Sequence, residues 1–138
     1  MSRARILLAD DHKEMRDRVV QVLEEEFEML DAVADGQALL EAASELKPDL
    51  CLVDVSMPIV NGLEVAVRLK KRGSKAKVVF LSIHEDVDFV RAAYDAGGSA
   101  YVVKRRMASD LLKAIRAVLA GRTFTSSNGF REELRVKR

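Results

Sequence analysis

Apolar residues fall along this chain in short unbroken runs that alternate with segments of helical spacing. Ala4 to Ala9 with Ile6, Leu7 and Leu8 at its centre, Leu50 to Val53, Val78 to Leu81 within Lys77 to Ile83, and Ala100 to Val103 are the runs, each closed by polar or turn-forming residues. Such runs predict strands buried on both faces, as in a parallel sheet covered by helices. Glu28 to Ala34 is a weaker strand, interrupted by Asp31 and suited to a sheet edge. Between the strands, apolar side chains recur at helical spacing: Met15, Val19, Val22 and Leu23; Leu39, Leu40, Ala43 and Leu46; Leu63, Ala66 and Val67, with Lys70 on the same face; Val87, Val90 and Ala93; and Leu111, Leu112, Ile115, Val118 and Leu119. Pro48 must stop the second helix, because the residue before proline is pushed out of helical geometry, and Gly73, Gly97-Gly98 and Gly121 are natural stops for the others. Five strand-helix repeats with short connections predict right-handed crossovers and a three-layer α/β sandwich around a five-stranded parallel sheet.

A chain of 138 residues forms one domain with a core that needs no staples. The folded domain is expected to span residues 1–121, leaving 122–138 as a C-terminal linker or short terminal helix. A net charge of +1 excludes a strong global field for nucleic acid or anionic lipid. Cys51, the one cysteine, lies inside an apolar run and reads as a small buried hydrophobe. The N-terminal apolar stretch is cut by Asp10 and Asp11, too early for a signal peptide or membrane span. A cytoplasmic location is the resulting expectation.

Parallel strands gather their carboxyl ends along one edge, where ligands bind in open α/β sheets. The polar residues at those ends are Asp10, Asp11, Asp54, Ser82 and Lys104. An isolated aspartate there is often a turn residue; five such groups in register form a site. Two carboxylates about 4 Å apart repel by roughly 4 kcal/mol at an effective dielectric near 20, so three in one cleft require counter-charge. Lys104 supplies one positive charge, and a hard divalent cation such as Mg²⁺ suits the remaining oxygens. A metal beside an ionised carboxylate, a lysine and a hydroxyl makes a phosphoryl-transfer site, with Asp54 the nucleophile.

This set of residues resembles the response-regulator receiver domains of two-component signalling. The likeness runs from Arg3 to about Gly121 and rests on Asp10-Asp11, Asp54 followed by Met57-Pro58 and Gly62, Ser82, and Lys104. It implies the flavodoxin-like strand order 2-1-3-4-5, for which a receiver is itself the standard example. It implies phosphorylation of Asp54 by a sensor histidine kinase. The metal would be Mg²⁺, held by Asp10, Asp11, Asp54 and the backbone carbonyl of Ser56, with Lys104 pairing with the phosphoryl oxygens. Ser82 would move to hydrogen-bond those oxygens, and the Tyr101 ring would turn inward with it, making these two the switch. Such a domain accepts a phosphoryl group rather than turning over a substrate.

Leu-Ser-Ile-His-Glu-Asp at 81–86 and Ala-Ile-Arg-Ala-Val-Leu-Ala-Gly-Arg at 114–122 narrow the likeness to receivers of the LuxR/NarL type, which precede a helix-turn-helix domain. The implied role is the receiver half of a transcriptional regulator. DNA would be met through a separate output domain only, and self-association into a homodimer is one mode of output. A stand-alone receiver acting by protein contact is the alternative. A metal-dependent phosphohydrolase using the same aspartate is disfavoured, because Ser56 stands where such enzymes need a second acid. Arg105 and Ile83 are departures: many receivers have proline at the first place, and a small residue is common at the second. His84 and Ser56 occupy positions that flank the site.

Overall fold

The computed structural model describes residues 3–126. Strands β1 (Arg5–Ala9), β2 (Glu28–Val33), β3 (Leu50–Asp54), β4 (Lys77–Ser82) and β5 (Ala100–Val103) alternate with helices α1 (Lys13–Leu23), α2 (Gly36–Leu46), α3 (Gly62–Lys71), α4 (Val87–Asp95) and α5 (Met107–Leu119). A 3-10 turn, Lys104–Arg106, leads into α5, and a two-residue strand, β6 (Phe124–Thr125), follows it. The sheet order is β2-β1-β3-β4-β5-β6, with every pairing parallel. The five-strand order 2-1-3-4-5 expected from the resemblance is therefore present, extended at one edge by β6.

Alternation along the strands divides the interior into two cores, since successive side chains point to opposite faces. Leu7, Ala9, Cys51, Val53, Phe80, Tyr101 and Val103 pack against α2, α3 and α4, while Ile6, Leu8, Leu50, Leu52, Val79, Leu81, Ala100 and Val102 pack against α1 and α5. β3 is buried along its whole length, and β2, the edge strand, is only partly covered. The α2 helix stops before Pro48 as the sequence requires, and Lys47 caps it in the left-handed region at φ 49°.

Two local expectations are corrected. The buried face of α3 is Gly62, Val65, Ala66 and Leu69 rather than Leu63, Ala66, Val67 and Lys70, a rotation of about one residue. Leu63 is only partly covered and Lys70 is exposed. Within the segment expected to be a linker or terminal helix, Phe124 and Thr125 form β6; residues 127–138 lie outside the described residues. Among the described residues no helix is long and apolar enough to cross a membrane.

Candidate functional site

β3 ends on Asp54, a buried carboxylate that pairs in register with Leu81 of β4. The chain then leaves the sheet through residues 55–61 and returns so closely that Gly62 N donates to Val55 O at 2.9 Å. A Cβ on Gly62 would stand 2.3 Å from Asp54 O and 2.9 Å from Val55 Cα, contacts with backbone that cannot give way. Glycine is thus required for α3 to start against the strand end that carries Asp54. Asn61 completes the junction by accepting the Glu64 N–H at 2.9 Å, which satisfies one free donor of the first turn.

Asp10 follows β1 and is wholly buried. Its Oδ1 accepts the His12 N–H at 2.9 Å, and its backbone carbonyl accepts from Arg16 Nη1 at 2.8 Å. Lys104, just past β5, brings its Nζ to 3.0 Å from Asp10 Oδ2 and 3.2 Å from Asp54 Oδ2. The lysine therefore bridges the two buried acids across the ends of β1, β3 and β5. Asp11 stands beside them, exposed.

One ammonium does not neutralise this group. Burial pushes the Asp54 carboxyl up to about 6, assisted by the Asp10 charge and opposed by Lys104 and by the Ser56 N–H, which donates to Oδ1 at 3.1 Å. Burial works against the Lys104 ammonium, but the adjoining Asp10 and Asp54 outweigh it and hold its pKa above the ordinary lysine value. The Lys104 ammonium is the one partner shown for the buried Asp10 Oδ2 among the described residues. A divalent cation is a further partner that oxygen donors of this kind hold.

Candidate ligand atoms of Asp10, Asp11, His12 and Asp54 all lie within 4.8 Å of one another. The sequence expectation had the three acids but not His12, whose Nδ1 sits 3.1 Å from Asp11 Oδ1 and 3.4 Å from Asp10 Oδ1. Its adjacency to the acidic pair was the available signal. Ser56 is exposed and enters the site through its backbone.

Ser82 closes β4, and its Oγ accepts the His84 N–H at 3.0 Å. Tyr101 is fully buried, and its hydroxyl donates to His84 O at 2.8 Å. Burial, together with the Asp86 and Glu85 charges, pushes the phenol up to about 12 despite a hydrogen bond with Ser82. The ring expected to turn inward thus already lies inside, tied to the loop that Ser82 begins. His84 stacks on Phe89 with ring centres 3.9 Å apart, fixing that loop against α4. Two isoleucines stand out on the neighbouring loops, Ile59 at 79% and Ile83 at 69% exposure.

Residues 6–116 match the family model for the response regulator receiver domain. The chain belongs to that family. Its receiver is 35% identical over 122 residues to the transcriptional regulatory protein DegU of Brevibacillus brevis, an alignment covering 87% of this chain and 52% of the relative. It is 33% identical over 120 residues to the nitrate/nitrite response regulator protein NarL of Escherichia coli K12, covering 86% and 56% respectively. The receiver therefore spans little more than half the length of these curated relatives. Among solved structures, a LuxR-family two-component response regulator from Aurantimonas superposes with a TM-score of 0.89 at 29% identity, over 99% of both chains. The signal receiver domain of the putative response regulator NarL from Mycobacterium tuberculosis gives 0.84 at 27% identity, over 88% of this chain and 100% of that one. The homologues of this receiver are regulators of the LuxR/NarL family.

Proposed function

We propose that this receiver is phosphorylated on Asp54 by a histidine kinase in a Mg²⁺-dependent reaction and thereby changes its output surface. The observation that carries the reading is the Lys104 ammonium bridging Asp10 Oδ2 and Asp54 Oδ2 at 3.0 and 3.2 Å. That lysine is placed to follow charge from a carboxylate to a phosphoryl group built on it. An Asp54 carboxylate oxygen attacks the phosphorus of a phosphohistidine. The O–P bond forms as the P–N bond breaks, and the imidazole leaves with the bonding pair, to be protonated by solvent. Asp10, Asp11 and Asp54, with the Ser56 carbonyl, are the residues that would hold Mg²⁺. When bound, the ion offsets the charge that accumulates on the phosphoryl oxygens.

Lys104 then pairs with one of those oxygens, and the Ser82 hydroxyl moves to donate its O–H to another. Phosphorylation supplies charge and strong acceptors, so both residues gain a partner found only in the modified state. Tyr101, bonded to His84 O, is the neighbour through which a shift of that loop is felt. Residues 1–121 form the receiver unit and the remainder the connection to an output. The transcriptional relatives favour a DNA-binding output domain as the destination, with a receiver acting by protein contact alone as the other arrangement. A cytoplasmic location goes with this reading.

Incubation with Mg²⁺ and a small acyl phosphate should add one phosphoryl mass to the intact protein, an adduct that does not form when chelator is present from the start or in Asp54→Asn. A wild-type chain that stays unmodified with Mg²⁺ present would overturn the reading.

A further inference from the structure

The chain beyond α5 turns back at Gly121 and lays Phe124 and Thr125 beside Ala100 and Tyr101 of β5. This strand is short, yet it is fixed from three sides. On the β5 side, Ser126 N donates to Tyr101 O at 2.9 Å, and Ser126 Oγ accepts the buried Val103 N–H at 3.0 Å. On the α4 side, the Tyr94 hydroxyl donates to Phe124 O at 2.9 Å and meets Thr125 Oγ1 at 2.5 Å. On the α5 side, the buried Asp110 carboxylate is hydrogen-bonded to Ser126 and Ser109 and paired with Arg106. Thr125 and Ser126 are buried as a result. Two isolated strand residues would gain too little from sheet pairing alone to stay docked; the side-chain bonds make the difference.

The attachment points on β5 are the two ends of the candidate switch. Tyr101 offers its backbone carbonyl to Ser126 while its hydroxyl holds His84 O, one hydrogen bond away from Ser82. Val103, whose N–H is bound by Ser126, immediately precedes Lys104, whose Nζ reaches Asp10 and Asp54. Arg106, paired with Asp110, closes the same turn. A change at Asp54 that shifts Lys104 or the Ser82 loop therefore pulls on the strand to which residues 124–126 are bonded.

We infer that residues 124–126 are a latch, whose docking on β5 is thermodynamically coupled to occupation of the Asp54 site. The inward Tyr101 and the docked latch belong to one state, and a phosphoryl group on Asp54 favours that state. The latch thus sets how firmly the chain leaving Ser126 is held. The inference rests on the phosphoacceptor reading of Asp54. Coupling is reciprocal, so weakening the latch must weaken binding at Asp54 by the factor through which occupation of Asp54 strengthens the latch.

The experiment uses the full chain with Mg²⁺ and beryllofluoride, a phosphoryl mimic. Amide exchange at Phe124 and Ser126, whose N–H groups bond Ser99 O and Tyr101 O, reads the latch, and a titration reads affinity. In the wild type, beryllofluoride should slow exchange at these amides about fivefold or more, the lower range of measured couplings. Tyr94→Phe, which keeps the ring and removes the α4 bonds, should speed basal exchange there and weaken beryllofluoride binding by a comparable factor. Ser126→Ala should act in the same direction. If Tyr94→Phe frees the two amides while affinity is unchanged, the latch is uncoupled and the inference is wrong. If the wild type binds no beryllofluoride at all, the phosphoacceptor reading falls and the inference falls with it.

Discussion

Arg105 grips Glu85 through two parallel contacts, Nε to Oε2 at 2.7 Å and Nη2 to Oε1 at 2.6 Å, joining the turn after β5 to the loop after β4. The two side chains lie 20 residues apart in sequence. Arg105 stands where many receivers have proline, so this receiver replaces a rigid ring by a cross-loop ion pair. Both groups are well exposed, at 54% and 38%, and solvent screens such pairs so that they contribute little to stability. Arg105→Ala should accordingly lower stability only slightly in urea titrations, with the loss shrinking at high salt. The larger effect should be local: faster amide exchange over residues 83–86 with the rest of the sheet unchanged. Unaltered exchange in that loop would show that the pair does not restrain it.

The raised pKa of Asp54 has an opposite sign from the usual carboxylate effect. A carboxyl that titrates at about 6 when folded and at about 3.9 when unfolded holds its proton more tightly in the folded state. Its contribution to stability is therefore fully present below the unfolded value and is lost as pH rises through about 6. Asp54→Asn abolishes this titration, so its stability relative to wild type should be greater at pH 7.5 than at pH 4.5. Mg²⁺ should reverse the penalty, since a ligand that binds only the folded state stabilises it. Because protons compete for the same carboxylate, Mg²⁺ affinity should fall about tenfold per pH unit below about 6. Fluorescence or calorimetric titration across that range checks the slope, and a flat profile would place the metal away from Asp54.

Periodicity carried most of the fold into view, for a physical reason. β1, β3, β4 and β5 are buried on both faces, so their apolar runs are unbroken and end sharply, and the sharp ends put Asp10, Asp54, Ser82 and Lys104 in register. What escaped depends on contacts distant in sequence or on very short elements. β6 has two residues and lies among threonines and serines, where only the aromatic and β-branched Phe124 and Thr125 hint at a strand. The face of α3 was misjudged by one residue because Leu63 and Val67 are as apolar as Val65 and Leu69; packing of Gly62 against Asp54 fixes the rotation. The partner of Arg105 could not be read at all, since nothing local ties it to Glu85.

Ile59 is a β-branched residue in the left-handed region, at φ 69°, and the turn it makes brings Val60 N to 2.8 Å from Pro58 O. An L-residue there costs roughly 1–2 kcal/mol, and this side chain recovers little by burial because it is largely exposed. Ile59→Gly should stabilise the receiver by about 1 kcal/mol, the strain relieved being partly offset by glycine's greater freedom when unfolded. Gly62→Ala, one turn further on, should do the reverse. Its Cβ meets backbone at 2.3 Å, and overpacking of that kind costs about 1–3 kcal/mol. Thermal melts of the two variants must move in opposite directions; a destabilising Ile59→Gly would mean that the isoleucine side chain makes a contact that outweighs its backbone.

His12 adds a nitrogen to an oxygen site. Its Nδ1 lies within reach of both Asp10 and Asp11, and it occupies the N-cap position before α1 with its ring largely exposed. Mg²⁺ prefers carboxylates, carbonyls and water, whereas imidazole suits the later divalent metals. His12→Ala should therefore leave Mg²⁺ affinity within about twofold and lower affinity for Co²⁺ or Ni²⁺ by about tenfold, the scale on which neighbours of a metal site act. Co²⁺ offers a second readout, because its visible absorption changes when nitrogen leaves the coordination sphere. Equal losses for Mg²⁺ and Co²⁺ would instead assign the His12 ring to the placement of Asp10 and Asp11, through its Nδ1 contacts with Asp10 Oδ1 and Asp11 Oδ1.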